Sequence, residues 1–182
     1  MGAKRSTAAQ RRGQAVAAGM WVFADHGLTM AAIQQVADEI GVSQPYMFRL
    51  FGNKRSFFLA CLDEFEDRVR EVFRRAAETC PDDPLEAMGA GFRELVADGV
   101  VSGFWLQACA AARRDEEVAA RCRSVISGVL QETERLTQAT PDDMARFAAS
   151  GALVVLLQAI GADLTGGSRA AVASLRPERT SS

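Results

Sequence analysis

Residues 29–54, T-M-A-A-I-Q-Q-V-A-D-E-I-G-V-S-Q-P-Y-M-F-R-L-F-G-N-K, constrain what this chain can fold into more than any other stretch. They write two short helices joined by a glycine turn. Ile33, Val36, Ala37 and Ile40 fall on one helical face, Gly41 supplies the left-handed residue that ends the first helix, and Ser43 caps the second. Met47 and Phe51, four apart, are expected to face inward, which turns Gln44, Pro45, Tyr46, Arg49 and Leu50 outward. Two such helices must pack at an angle as a helix-turn-helix. The outward set mixes hydrogen-bonding, cationic and apolar groups suited to base edges in double-stranded DNA.

Charge is distributed to match. The formal net charge is -2, yet residues 1–56 carry seven basic residues (Lys4, Arg5, Arg11, Arg12, Arg49, Lys54, Arg55) against three acids (Asp25, Asp38, Glu39). A basic head on an acidic body is what a DNA binder needs, because neutralised phosphates release counterions and supply most of the non-specific affinity. A solvated charge distribution without a partner is the plainer alternative.

The same residues resemble the tetracycline-repressor (TetR) family of bacterial regulators. Phe23, Gly27, Thr29, Ile33, Ala37, Gly41, Val42, Ser43, Phe51 and Lys54 stand at the family's spacings, and Gln44-Pro45 and Asn53-Lys54-Arg55 are similar to the founding repressor. The resemblance covers about residues 8 to 60. It implies a homodimer with DNA contacts at Thr29, Met30, Ser43, Gln44, Pro45, Tyr46, Phe48, Arg49, Leu50 and Lys54. One departure is at Phe48, where the family usually has a tyrosine held against a phosphate; without that hydroxyl, Phe48 is expected to pack. Residues 107–121, Q-A-C-A-A-A-R-R-D-E-E-V-A-A-R, resemble a recurring stretch in one branch of the family.

The side chains give these positions their chemistry. Lys54 and Arg55 stand in the first turn of a helix, where the macrodipole disfavours cations, and a DNA phosphate held by the helix-start amides and the Lys54 ammonium would remove the conflict. Thr29 caps a helix whose start can face a second phosphate. Arg49 is suited to a bidentate contact with guanine and Gln44 to adenine or a phosphate; Pro45 and Leu50 suit thymine methyls. Lys4, Arg5 and Arg11 read either as a minor-groove or phosphate arm or as a disordered basic terminus.

Spacings of three and four recur along the chain and alternation of period two does not, so the fold class is all-α. The expected architecture is an N-terminal three-helix helix-turn-helix DNA-binding head, residues 1–56, followed by a C-terminal helical ligand-binding and dimerisation body, residues 57–182. A first helix runs from about Ser6 to Asp25 and ends at His26-Gly27, where His26 suits a last-turn cation. A fourth opens with Asn53 as cap and runs to about Glu78 on a seam of Cys61, Leu62, Phe65, Val69 and Phe73; T-C-P-D-D-P stops it. Further helices are expected over residues 85–98, 102–113, 115–138 and 142–163, with a short piece over 168–175 and a polar, mobile tail. The pairs Asp82-Asp83 and Asp142-Asp143 each follow a proline in front of an apolar-periodic run, and helix starts explain them better than metal ligation.

Residues 147–162 are apolar on nearly all faces yet fall short of the ~20 apolar residues of a membrane span. Small residues let another helix approach, so Phe147, Ala148, Gly151, Ala152 and Val155 are expected at a two-fold subunit interface, with the preceding helix as antiparallel partner. The family resemblance implies the same arrangement, and also a small-molecule pocket in the body. Phe73, Met88, Phe92, Phe104, Trp105 and Cys109 are its candidate lining, for an apolar or aromatic effector; helical-period aromatics also serve as plain core.

Cys61, Cys80, Cys109 and Cys122 form no C-x-x-C and meet no paired histidines, so no metal site is expected, nor a cofactor. No apolar run follows the basic start M-G-A-K-R, so no signal peptide is expected and the cytoplasm is the expected compartment. The leading functional expectation is a repressor that binds a palindromic operator and is released by its effector. The alternatives are a helix-turn-helix regulator controlled by cysteine oxidation and an all-helical enzyme. A single histidine and the absence of a phosphate-cradling loop speak against the enzyme.

Overall fold

The structure is a computed structural model that describes residues 7–175. Among the described residues there are nine helices and no strand: α1 Ala8–His26, α2 Met30–Glu39, α3 Gln44–Phe51, α4 Lys54–Thr79, α5 Pro84–Val96, α6 Val100–Ala112, α7 Glu116–Thr137, α8 Pro141–Ala159 and α9 Gly167–Ser174. The expected all-helical architecture is observed. Lys4, Arg5, the expected start at Ser6 and the polar tail over 176–182 lie outside the described residues.

Local chemistry sets the helix ends. α1 opens on a reciprocal capping box, with the Thr7 hydroxyl accepting from the Gln10 amide and the Gln10 side chain accepting from the Thr7 amide. It stops at Gly27, whose φ of 61° places it in the left-handed region, and Gly41 with φ 67° ends the α2 segment in the same way. Asp83 and Thr140 cap α5 and α8, each with a proline in the first turn. Asp83, Asp142 and Asp143 are therefore used at helix starts as expected, while Asp82 lies in the turn before α5. α8 ends at Ala159, four residues before the expected end, because Ile160 leaves helical geometry and Gly161 follows at φ 71°.

Contacts divide the chain into two compact units that follow packing rather than the motif boundary at residue 56. The first runs up to Asp67 and takes in Gly103–Ile126; the second comprises Arg68–Ser102 and the chain from Ser127 onward. Three helices, α4, α6 and α7, each contribute residues to both.

The first unit is centred on aromatic rings. Phe23 meets Phe57 and Phe58 with centroids 5.2 and 5.1 Å away, Phe51 meets Phe57 at 4.4 Å, and Phe104 extends the cluster from Phe58 at 5.2 Å. Phe23, Phe57, Phe58 and Phe104 are fully buried. Each contributes about 1.5–3 kcal/mol against about 1 kcal/mol for a helix cap, so the rings dominate the stability of this unit while caps decide where helices begin.

In the second unit, Phe73 is the hub, edge-on to Phe147 at 5.4 Å and to Phe92 at 6.3 Å, with Met88, Val96, Val154 and Leu157 buried nearby in the sequence of α5 and α8. Glu132 is buried and accepts two bonds from Arg135 at 3.0 Å, with Arg70 and Arg74 at 3.6 and 3.7 Å. The Arg135 hydrogen bond above all holds its carboxyl below the usual range, against the opposing effect of desolvation.

Candidate nucleic-acid interface

The turn between α2 and α3 is held by main-chain bonds from the Gly41 amide to the Asp38 carbonyl and from the Val42 amide to the Ala37 carbonyl, at 3.1 and 2.9 Å. Thr29 Oγ1 accepts from the Ala32 amide and Ser43 Oγ from the Tyr46 amide, at 3.1 and 3.3 Å, so both helices are capped by the residues expected to cap them. Met47 and Phe51 anchor α3 inward as buried side chains. That anchoring decides which side of α3 faces out.

Pro45 and Arg49 are exposed, while Gln44, Tyr46, Phe48 and Leu50 are half-buried. The Arg49 guanidinium lies over the Tyr46 ring, 4.7 Å from its centroid, which holds the arginine along the outward side of the helix. Met30 is exposed at the start of α2. The half-buried state of Phe48 is in keeping with a side chain that packs as well as facing outward.

At the α4 start, Asn53 Oδ1 accepts from the Ser56 amide at 2.9 Å, and Lys54 is exposed beside it. Arg55 departs from expectation. Its guanidinium donates to Asp115 at 2.6 Å and Glu117 at 3.0 Å, which raises its own pKa through the Asp115 hydrogen bond first. Asp115 sits below the usual carboxylate range: desolvation opposes this, but the bond from Arg55 and those from the Val118 and Glu117 amides outweigh it. The cation conflict at this helix start is thus settled for Arg55 within the chain, whereas Lys54 is exposed.

Arg11 also requires correction. It is no arm: its Nη1 donates to the Ile40 carbonyl at 2.9 Å, and the adjacent Arg12 donates to the Leu50 carbonyl at 2.9 Å with its guanidinium 4.3 Å from the Phe51 centroid. A separation of 29 and 38 residues hides both contacts from any local reading of the sequence.

The six candidate pocket residues fall into separate units. Phe104 is a fully buried member of the first unit's ring cluster, Trp105 stacks on Phe65 with centroids 5.0 Å apart and planes 14° apart, and Cys109 is exposed. Phe73, Met88 and Phe92 belong to the second unit.

The expected interface residues fall on two sides of α8. Phe147 packs on Phe73 of its own chain, Val155 is buried, and a β-carbon on Gly151 would stand 3.9 Å from the Phe92 ring. These three face inward because α8 needs one side for α5. Ala148 and Ala152 face outward, in register with exposed Leu156 and Ile160, which the apolar-all-round sequence gave no means of separating from the buried side.

Cys61 and Cys122 are buried, Cys80 and Cys109 exposed, and the Cys61 thiol donates to the Val16 carbonyl at 3.8 Å. Burial pushes the Cys122 thiol up to about 11, and partial desolvation by neighbouring side chains raises the surface Cys109 as well, away from the thiolate form that reacts with oxidants. Among the described residues no cluster of three or more His, Cys, Asp or Glu is placed to hold a metal. No single helix among them is long and apolar enough to cross a membrane.

Residues 15–61 match the profile of a family described as "Bacterial regulatory proteins, tetR family". The HTH-type transcriptional activator FasR of Mycolicibacterium smegmatis is 36% identical over 73 residues, 40% of this chain and 33% of that protein, so the chain spans about a third of that relative's length. Two solved structures share the fold over most of both chains. The fatty acid degradation regulator FadR of Bacillus halodurans superposes with a TM-score of 0.72 at 17% identity, covering 98% of this chain and 100% of its own. A protein from Saccharomonospora viridis solved in complex with choline gives 0.64 at 18% identity, covering 92% and 94%. At such identities the likeness is one of fold.

Proposed function

We propose that this chain, whose residues 15–61 match the tetR family of bacterial regulatory proteins, is a homodimeric transcriptional regulator that binds a palindromic operator and lets go when a small molecule binds its body. The observation that carries the reading is the orientation of α3. Its buried pair, Met47 and Phe51, leaves Gln44, Pro45, Tyr46, Arg49 and Leu50 along one outward side, with the capped starts of α2 and α4 presenting Thr29 and Lys54. Helix-start amides lack intrahelical partners and suit phosphates, while the α3 side chains suit base edges. Two copies would place two such helices in successive major grooves about 34–36 Å apart.

The effector we propose is a small apolar or aromatic molecule recognised by the body, with Phe73, Met88 and Phe92 of the second unit as the residues to test. Support comes from the structural neighbours: one is a fatty acid degradation regulator and one was solved with choline. Repression is the simpler outcome of occupying an operator, while the name of the FasR relative is that of an activator. The position of the operator relative to the promoter decides between them.

Selection from a random duplex pool tests the DNA reading. The full chain should enrich a two-fold symmetric sequence with half-sites about 10 base pairs apart or a multiple of this, and recovery of unenriched DNA would sink the proposal. Tryptophan fluorescence titrations with choline and with a long-chain fatty acid, with and without the selected duplex, test the effector. A ligand that releases DNA must bind the DNA-bound protein more weakly by the same factor, typically about 5- to 150-fold; equal affinity for both forms would exclude it as the signal.

A further inference from the structure

Two adjacent arginines of α1 reach the C-terminal ends of the two helices of the DNA-reading motif. Arg11 Nη1 donates to the Ile40 carbonyl, just past α2, and Arg12 Nη1 donates to the Leu50 carbonyl in the last turn of α3, each at 2.9 Å. The last carbonyls of a helix lack amide partners and carry its negative end, so a guanidinium placed there makes a charge-assisted bond with favourable dipole interaction. Neighbouring residues on a helix project roughly 100° apart at about 3.6 residues per turn. One turn of α1 therefore holds two helix ends lying in different directions.

α3 has eight residues, far fewer than the ~12–15 that sustain a helix unaided, and of these only Met47 and Phe51 are buried. A single apolar row fixes depth but leaves the helix free to roll about that row. Arg12 removes this freedom at the C-terminal end: its hydrogen bond grips the Leu50 carbonyl while its planar group rests on Phe51, the second anchor.

We propose that Arg12 is a positioning residue for the recognition helix, setting which base edges Gln44, Tyr46 and Arg49 meet without touching DNA itself, with Arg11 holding α2 in the same way. The proposal rests on the reading of this head as a DNA binder. It gives sequence specificity to a residue on α1, outside the helix that reads the bases.

The test uses the full chain, the duplex that wild-type protein selects from a random pool, and a scrambled duplex of equal length, each titrated over a range of salt. Arg12→Ala should lower the ratio of selected to scrambled affinity about tenfold, the size of one charge-assisted bond expressed as a binding ratio. Binding to the scrambled duplex should keep its salt slope. Arg12→Lys retains the charge and a donor for the Leu50 carbonyl, and should recover most of the ratio. Because Arg12 is exposed, its truncation leaves no cavity in the core.

Equal weakening on both duplexes with a slope flatter by about 1 would identify Arg12 as a direct phosphate contact and overturn the proposal. Equal weakening with an unchanged slope would show only a smaller folded fraction, and an unchanged ratio would show no role in α3 placement; either also overturns it. Failure of Arg12→Lys to recover the ratio would assign the effect to packing on Phe51 and remove the carbonyl clamp. A wild-type protein that enriches no sequence at all fails at the earlier step, and takes the DNA-binding reading down together with this one.

Discussion

Lys54 and Arg55 are adjacent, both cationic and both in the first turn of α4, yet the structure gives them different work. Arg55 is matched by Asp115 and Glu117, whereas Lys54 stands exposed next to the Asn53 cap. Lys54→Ala should therefore weaken binding to all duplexes alike and flatten the log-log salt dependence by about 1. Arg49→Ala should instead cost about 1–3 kcal/mol at particular base pairs, and equal losses on selected and scrambled duplexes would refute its role as a base reader. Arg55 tests the division from the other side. In Asp115→Asn its guanidinium loses the nearer of two anionic partners and becomes available to a phosphate, so scrambled-duplex affinity should rise and the salt slope steepen. An unchanged slope would mean that Glu117 alone keeps Arg55 occupied. The raised thiols predict no change in DNA affinity after mild peroxide treatment, with intact-mass measurement as the check; oxidation of Cys109 or Cys122 accompanied by release would restore the redox alternative.

Elements were legible where their causes are local. Thr29, Ser43 and Asn53 announce helix starts, Gly27 and Gly41 announce ends, and the spacing of Met47 and Phe51 fixes the outward side of α3, so the outward-turned set of α3 could be read without coordinates. The clamps of Arg11, Arg12 and Arg55 could not, because their partners lie 29, 38 and 60 residues away and carry no periodic signal. α8 was unreadable for a different reason: apolar residues on every face give its burial no direction. Packing between elements gives a further test at Gly19. A β-carbon there would stand 2.6 Å from the tip of the Phe57 ring and 2.9 Å from the Cys61 sulfur, both buried. Alanine is favoured over glycine in a helix by about 1 kcal/mol, whereas overpacking costs about 1–3 kcal/mol, and a ring wedged between Phe23 and Phe51 has little room to yield. Gly19→Ala should thus lower the unfolding free energy; a gain in denaturant midpoint would show the ring cluster to be softer than it looks. Between α4 and α7, Glu132→Gln should destabilise by about 1 kcal/mol, less than a fully buried pair because the arginines reach solvent. The carboxyl's folded pKa is lowered, so this contribution is present above the ordinary carboxylate range and is lost as pH falls through the folded value. Wild type and variant should therefore converge in stability on acidification, and a constant gap down to pH 2 would place the effect elsewhere.

At the scale of the whole molecule, the question is what covers the outer side of α8. Ala148, Ala152, Leu156 and Ile160 recur at intervals of four and so form one row, with Leu156 56% and Ile160 68% exposed in the single chain. Small residues toward the start of the row allow close helix approach, and large apolar ones toward its end supply buried area, the composition of a two-fold helical interface. Leu156→Glu places a charge in the middle of that row without touching the inward residues Val154, Val155 and Leu157, so the monomer fold should survive. If the row is the subunit interface, the variant should sediment as a monomer. Loss of the second half-site should then lower affinity for the full selected duplex by about 10²- to 10⁴-fold, the usual gain from linking two binding events. Affinity for an isolated half-site should remain that of wild type, because no residue of the head has changed. A variant that stays dimeric and binds the full duplex normally would move the interface away from α8; one that loses half-site binding as well would point to damage reaching the head and exclude a pure assembly defect.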